Sequence, residues 1–264
     1  MPPQPIFDPQ KTGRHLRVAG FMSGSGTNIR RLLEHQRALS DQGESPFELV
    51  FIFSDRSDGC CRGEEIALEA GIPYISYDIR RFHQTRGLKR TATTREGYAA
   101  RQDFDAVAAQ LCKAFEVDLV ALGGYMSFIT IEPCVSVHPA DLSILDQAGR
   151  RRLIGDDAVY EAIVAGQSEL RSSTLLTDQG VDSGPLLMVS EALPVRLPAP
   201  LEELKGDPGR LRQAAGKLQE RLKEAGDWRI FPLTIQYVAQ GRFALDESGA
   251  VFFDGKPTPR GVRL

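Results

Sequence analysis

Three short stretches carry residue types that can do chemistry, each at the end of an apolar run. The first is "FMSGSGTNIRRLLEHQ", residues 21–36, where Gly24 and Gly26 follow the run "LRVAGFM" and Thr27 and Asn28 open a stretch of helical periodicity. Glycine tolerates positive φ and lets a ligand approach the backbone closely. The free N–H groups of a helix start attract an anion, phosphate above all, and Thr27 and Asn28 add side-chain donors. A plain strand-to-helix turn is the other reading. The second half of a dinucleotide fingerprint is missing, as is the lysine of a nucleotide-triphosphate loop.

The second stretch is "CVSVHP". It ends in His138, one of four histidines, immediately before Pro139. A histidine at a strand end can hold or relay a proton, though a lone one also serves as a structural residue. The third is "DQGVDSGP", a tight loop containing Asp182. Loop aspartates commonly cap turns, and a carboxylate beside an imidazole also makes an acid–base pair. In open parallel sheets, ligands bind beyond the carboxyl ends of the strands. The glycine loop, the Gly-Gly end of "VDLVALGG" and the "SVHP" end are therefore expected to share one cleft.

These stretches need a scaffold, and the rest of the chain supplies an alternating pattern. "LRVAGFM", "FELVFIF", "IPYISY" and "VDLVALGGYM" read as buried strands. Residues 27–38, 60–70 and 101–115 read as the helices between them, the last with Phe104, Val107, Leu111 and Phe115 on one face. Strands alternating with helices predict an α/β fold, doubly wound, with a mainly parallel sheet and helices on both faces. Residues 79–99 are basic and lack a clear period, so they read as a loop or insertion. Farther on, "DDAVYEAIVAG" is a short helix, "RSSTLLT" and "PLLMVSEALPV" are strands, 208–226 and 228–239 are helices, and "GRFALDESGAVFFDG" is a hairpin. The expected organisation is a flexible lead-in at 1–15, an α/β domain at 16–195, and C-terminal helices and a hairpin at 196–264 packed on that domain.

Composition narrows the class. The 264 residues are 42% hydrophobic and 25% charged, enough for a packed core. A net charge of −3 makes no electrostatic case for nucleic acid. The proline-rich opening lacks the apolar core of a secretory signal, and no apolar run is long enough to cross a bilayer. Cys60, Cys61, Cys112 and Cys134 form no C-x-x-C pair, which argues against a zinc site and for a reducing, cytoplasmic setting.

The order of glycine loop, "GGYM", His-Pro strand end, "VDSGP" and "IFPLTI" resembles glycinamide ribonucleotide formyltransferase, across residues 16–261 with gaps near 79–99, 141–154 and 196–212. The resemblance implies a formyltransferase-type fold and 10-formyltetrahydrofolate as co-substrate, with no metal. It implies small-molecule substrates, neither nucleic acid nor membrane as partner, and a homodimer as the oligomer to consider. Carried over position by position, it implies that Gly26, Thr27 and Asn28 hold the ribonucleotide phosphate, with Arg101 a substrate-side arginine. Met126, Ser127, Phe128 and Ile129 would line the pterin pocket, and Thr177, Asp178, Gly180 and Val181 would close over the ring. His138 and Asp182 match the catalytic histidine and aspartate, with Asp182 expected to favour the imidazolium.

The departures fall on one side of that pattern. Ser136 stands where the family has an asparagine that contacts the carbonyl or oxyanion, and Val159 and Leu175 stand where typical members have histidines. The stretch after His-Pro, "ADLSILDQAGRRRLIG", is longer and carries Arg150, Arg151 and Arg152. The implied activity is formyl transfer to the amine of a small phosphorylated acceptor such as glycinamide ribonucleotide. A 10-formyltetrahydrofolate hydrolase and a non-catalytic folate- or nucleotide-binding protein are the alternatives.

Overall fold

A computed structural model describes residues 2–264. The chain divides into two compact units, one of residues 7–136 and the other of 2–6 with 137–264. The expected boundary at 195/196 lies inside the second unit.

The first unit is built on parallel strands. In spatial order they are Cys134–His138 (through residues 134–136), Leu119–Leu122, Leu16–Met22, Phe47–Ser54 and Tyr74–Ser76. The central strands are buried nearly throughout, as the unbroken apolar runs require of a sheet covered on both faces. Phe21 meets Phe53 at 4.8 Å between ring centres, and Phe51 meets Phe115 at 5.0 Å. Helices Thr27–Asp41, Gly63–Ala70, Ile79–Thr85 and Arg95–Ala114 complete the unit, which opens with a short helix, Pro9–Thr12. The Gly-Gly strand end has a packing reason. A Cβ on Gly123 would stand 2.5 Å from Ile29 Cδ1, so only glycine lets helix Thr27–Asp41 sit this close.

Residues 79–99 are the expected loop only at 86–94, between two helices. Asp78 caps a helix at Ile79–Thr85 by accepting from the Arg81 N–H at 2.9 Å, and Ile79, Phe82 and His83 are its buried face. Thr94 caps the next helix, accepting from the Gly97 N–H at 3.1 Å, so that helix begins six residues before the expected start at 101. The exposed arginines and lysine between the few buried positions hide the helical period.

In the second unit, Ser173–Leu176 pairs antiparallel with Leu186–Val189, and Val262–Arg263 pairs parallel with the latter. A separate antiparallel sheet joins Gln4–Pro5, Phe243–Leu245, Val251–Phe253 and Lys256–Pro257. The expected flexible lead-in is therefore ordered by pairing: the Ile6 N–H also donates to the Phe243 carbonyl at 2.9 Å. Helix Pro208–Leu222 buries Leu211, Ala215, Leu218 and Leu222 against Val159, Ile163 and Leu204. It continues through a π-helical turn, Lys223–Asp227, into helix Trp228–Ala239. The overall class is α/β with mainly parallel strands, as expected.

Candidate active site

In the first unit the strand ends lie side by side, with Phe21 opposite Leu122 and Leu122 opposite Ser136. The glycine loop leaves from the first of them. The Ser23 N–H donates to the Gly124 carbonyl at 3.0 Å, which joins this loop to the Gly-Gly end. Gly26 has φ +68° and caps helix Thr27–Asp41 with no side-chain hydrogen bond. A Cβ there would lie 2.5 Å from Ile66 Cδ1 and closer still to Met22, so the position requires glycine twice over. The first turn has no acidic residue; the Asn28 side-chain Oδ1, an acceptor that would not bind an anion, is buried without a partner among the described residues. Positive dipole and open donors at the start of a four-turn helix suit an anion.

Asp55 organises this end of the unit and escaped sequence reading, where it passed as one of several turn residues in "SDRSDG". It is 3% exposed and accepts from the Ser23 hydroxyl at 2.7 Å and from the Ser127 hydroxyl. Ser23 in turn accepts from the Met126 N–H at 3.1 Å. One buried carboxylate thus ties the glycine loop to segment 126–129. Within that segment Met126 is exposed, Phe128 is half-buried beside Tyr98, and Ser127 and Ile129 are buried. Arg101, expected on the substrate side, is 3% exposed and turned inward. Its Nε donates to Asp105 at 3.0 Å and its Nη2 to the Tyr125 hydroxyl at 2.9 Å. Asp105 also accepts from the Thr130 N–H at 2.7 Å, so Arg101 braces the segment after the Gly-Gly turn.

The second unit brings His138 and Asp182 together. His138 Nδ1 lies 3.3 Å from Asp182 Oδ2, across 44 residues of chain, and the imidazole is 6% exposed. The other ring nitrogen, Nε2, lies 3.0 Å from the Leu153 carbonyl oxygen. A carbonyl only accepts, so Nε2 carries a proton and donates. Burial holds the imidazole below its usual pKa, against the opposing pull of the Asp182 carboxylate and the Leu153 carbonyl. Asp182 does favour the imidazolium, as expected, but the loss of hydration outweighs its pull and the net direction is downward. Ser136 is half-buried. Val159 and Leu175, each 1% exposed, are core residues.

Asp182 is held in the left-handed region at φ +50°, where aspartate is tolerated better than most residues. Its loop closes the hairpin between Ser173–Leu176 and Leu186–Val189. Asp178 Oδ1 accepts from the Gly180 N–H at 2.9 Å and from the Ser183 hydroxyl at 2.6 Å. Thr177 is half-buried, and Val181 is exposed at the tip.

A family model described as formyl transferase matches residues 16–205, most of the chain. The chain belongs to the formyl transferase family. Its relatives include the phosphoribosylglycinamide formyltransferase of Haemophilus influenzae, 22% identical over 251 residues, covering 92% of this chain and 96% of that protein. The trifunctional purine biosynthetic protein adenosine-3 of Gallus gallus is 25% identical over 244 residues and 89% of this chain. The chain spans only about a fifth of that much longer protein's length. Among solved structures, the phosphoribosylglycinamide formyltransferase of Anaplasma phagocytophilum matches with a TM-score of 0.66 at 21% identity, over 95% of this chain and 98% of its own. That likeness extends the formyl transferase fold, with its mixed, mainly parallel sheet, to nearly the whole chain.

Proposed function

We propose that this formyl transferase family member moves a formyl group from 10-formyltetrahydrofolate to the amine of a small phosphorylated acceptor of the glycinamide ribonucleotide class. The observation that carries this reading is the buried His138–Asp182 contact at 3.3 Å. An amine attacking a formyl carbon generates a tetrahedral oxyanion and must shed a proton, while the departing folate nitrogen gains one. A buried imidazole with an adjacent carboxylate can hold that proton, and it can donate to the developing charge once Nε2 leaves the Leu153 carbonyl. In the other unit, the backbone N–H groups at Gly26, Thr27 and Asn28 would take the acceptor's phosphate.

Backbone groups of Met126, Ser127, Phe128 and Ile129, and of Thr177, Asp178, Gly180 and Val181, would recognise the pterin. Ser136 would offer a shorter donor than the family's asparagine. Arg101 would act by bracing the segment after the Gly-Gly turn, its guanidinium being engaged by Asp105 and Tyr125. The test is to mix the protein with 10-formyltetrahydrofolate, with and without glycinamide ribonucleotide, and follow the absorbance of released tetrahydrofolate. Release that needs the acceptor supports transfer, and acceptor-independent release indicates hydrolysis. Binding of the folate without release supports the second reading, a folate-binding protein without turnover. The engagement of both His138 ring nitrogens by protein groups favours that second reading over hydrolysis.

A further inference from the structure

The long stretch after His-Pro folds into a small hairpin. Leu145 bridges Arg151, the Asp146 N–H donates to the Arg150 carbonyl at 2.8 Å, and the Arg152 N–H donates to the Ile144 carbonyl at 3.1 Å. Asp146 Oδ1 accepts from the Ala148 and Arg150 N–H groups, each at 2.9 Å, which closes the turn. The hairpin and the residues just after it then make three kinds of contact with the His138–Asp182 pair. The Leu153 carbonyl accepts from His138 Nε2 at 3.0 Å. The Gly155 N–H donates to Asp182 Oδ2 at 2.9 Å. The third contact is the Arg151 guanidinium: Nη1 donates to the Asp182 carbonyl and Nη2 to the Gly184 carbonyl at 2.7 Å.

We infer that Arg151 is a positioning residue for the acid–base pair: its two-pronged grip on the 182–184 backbone holds the Asp182 carboxylate against His138. Three features make the grip necessary. Asp182 sits at φ +50°, a conformation that costs a non-glycine residue energy, aspartate less than most, and that added contacts help to hold. Gly184 packs its α-carbon against the Leu176 carbonyl, with no room for a Cβ, so the turn must be held in one exact place. And Arg151 hydrogen-bonds main-chain carbonyls instead of a carboxylate, the use for which a planar fork suits and an ammonium does not. Its bearing on turnover rests on the formyl-transfer reading above.

The charged groups around His138 are Asp182, Arg151 and Asp156. Arg151→Lys separates grip from charge, because lysine keeps the positive charge and loses the fork. The His138 titration is read by NMR in wild type, Arg151→Lys, Asp182→Asn and the double variant, each with its unfolding transition measured. If Arg151 positions Asp182, the lysine variant loses part of the carboxylate's raising pull. The His138 midpoint then falls further, by about 1 unit, and Arg151→Lys has no added effect in the Asp182→Asn background. A residue acting through charge alone would leave the lysine variant titrating like wild type, and that result would overturn the proposal.

Amide exchange gives a second measurement, which also serves with Arg151→Ala. The Gly155 N–H should exchange about tenfold faster once Asp182 is released, with core amides such as Leu187 unchanged. Wild-type exchange at Gly155 would also sink the idea. In the formyl-transfer assay, Arg151→Lys should lower kcat by up to about 100-fold with KM nearly constant. If the titration and exchange behave as expected and wild type itself releases no tetrahydrofolate, the positioning role stands and the transfer reading falls. If wild type is active and Arg151→Lys keeps its kcat, the positioning role falls alone.

Discussion

His138 Nε2 donates to the Leu153 carbonyl oxygen at 3.0 Å, and this contact dictates the chemistry available to the imidazole. With Nε2 protonated, the nitrogen facing Asp182 is Nδ1, which in the neutral ring has a lone pair. Two acceptors 3.3 Å apart repel, so the contact with Asp182 is attractive only when a further proton lies between them. The His138–Asp182 pair therefore takes up and releases that proton as a unit.

The tautomer can be read directly. Because burial lowers the His138 pKa, the neutral ring with its proton on Nε2 should predominate at pH 7. The stabilisation lost by forcing the charged ring into this site appears as pH falls below the unfolded value of 6.5 and continues through the lower folded pKa. Nitrogen-15 chemical shifts of the His138 ring would reveal a proton on Nδ1 alone if this assignment were wrong.

Gly26→Ala should disable the glycine loop. The variant would combine a positive φ with a methyl group driven against Met22 and Ile66. Together these should destabilise the protein by about 2–4 kcal/mol, seen as a lower urea midpoint. Phosphorus NMR should show inorganic phosphate binding to wild type and little to the variant. An unchanged phosphate titration would remove the loop from the ligand site.

Ser136→Asn tests whether the serine stands in for an oxyanion-binding asparagine, as the resemblance implies. An amide reaches farther than a hydroxyl, so if the serine leaves an oxyanion donor short, the variant should raise single-turnover formyl transfer by up to about 100-fold. His138→Ala should abolish transfer with the same acceptor. Wild-type turnover in His138→Ala would reduce the imidazole to a strand-end core residue.

Asp227 gives a stability signature of its own. It closes the π-helical turn, is 4% exposed, and has one carboxylate oxygen without a partner among the described residues. Burial raises its pKa from 3.8 to about 6, with Ser172 and Lys223 only partly opposing. The folded state thus binds the proton more tightly than the unfolded chain. This penalty is absent below about pH 4, grows as pH rises, and is complete above about pH 6, reaching about 3 kcal/mol. Denaturation across that window should lose the corresponding slope in Asp227→Asn. A variant that keeps the slope would place its origin elsewhere.

No helix among the described residues is long and apolar enough to cross a membrane. The residues expected to do chemistry stood out because their types are rare and their places punctuated. His138 precedes a proline, Asp182 lies between glycines, and Gly26 opens a helix. The parallel strands were legible for a related reason: a strand covered on both faces has to be apolar at every position, and such runs stand out. The helix expected at 101–115 was legible from its apolar face, but helix Ile79–Thr85 and the first turns of Arg95–Ala114 were obscured because each offers too few buried positions to make a visible period. The strand at Gln4–Pro5 could not be foreseen, since the strand it pairs with lies some 240 residues away.

Only the tertiary structure decided the state of the site. Arg101 looks like a cation for a substrate, yet a buried carboxylate one helical turn away and a tyrosine hydroxyl take its donors. Asp55 looks like a turn residue, yet it links the glycine loop to segment 126–129. The sign of the His138 pKa shift depended on how much water folding excludes, a property of three-dimensional burial that no spacing of residues encodes. Arg151 was one of three consecutive arginines until the hairpin register aimed it, and neither neighbour, at the backbone of Asp182.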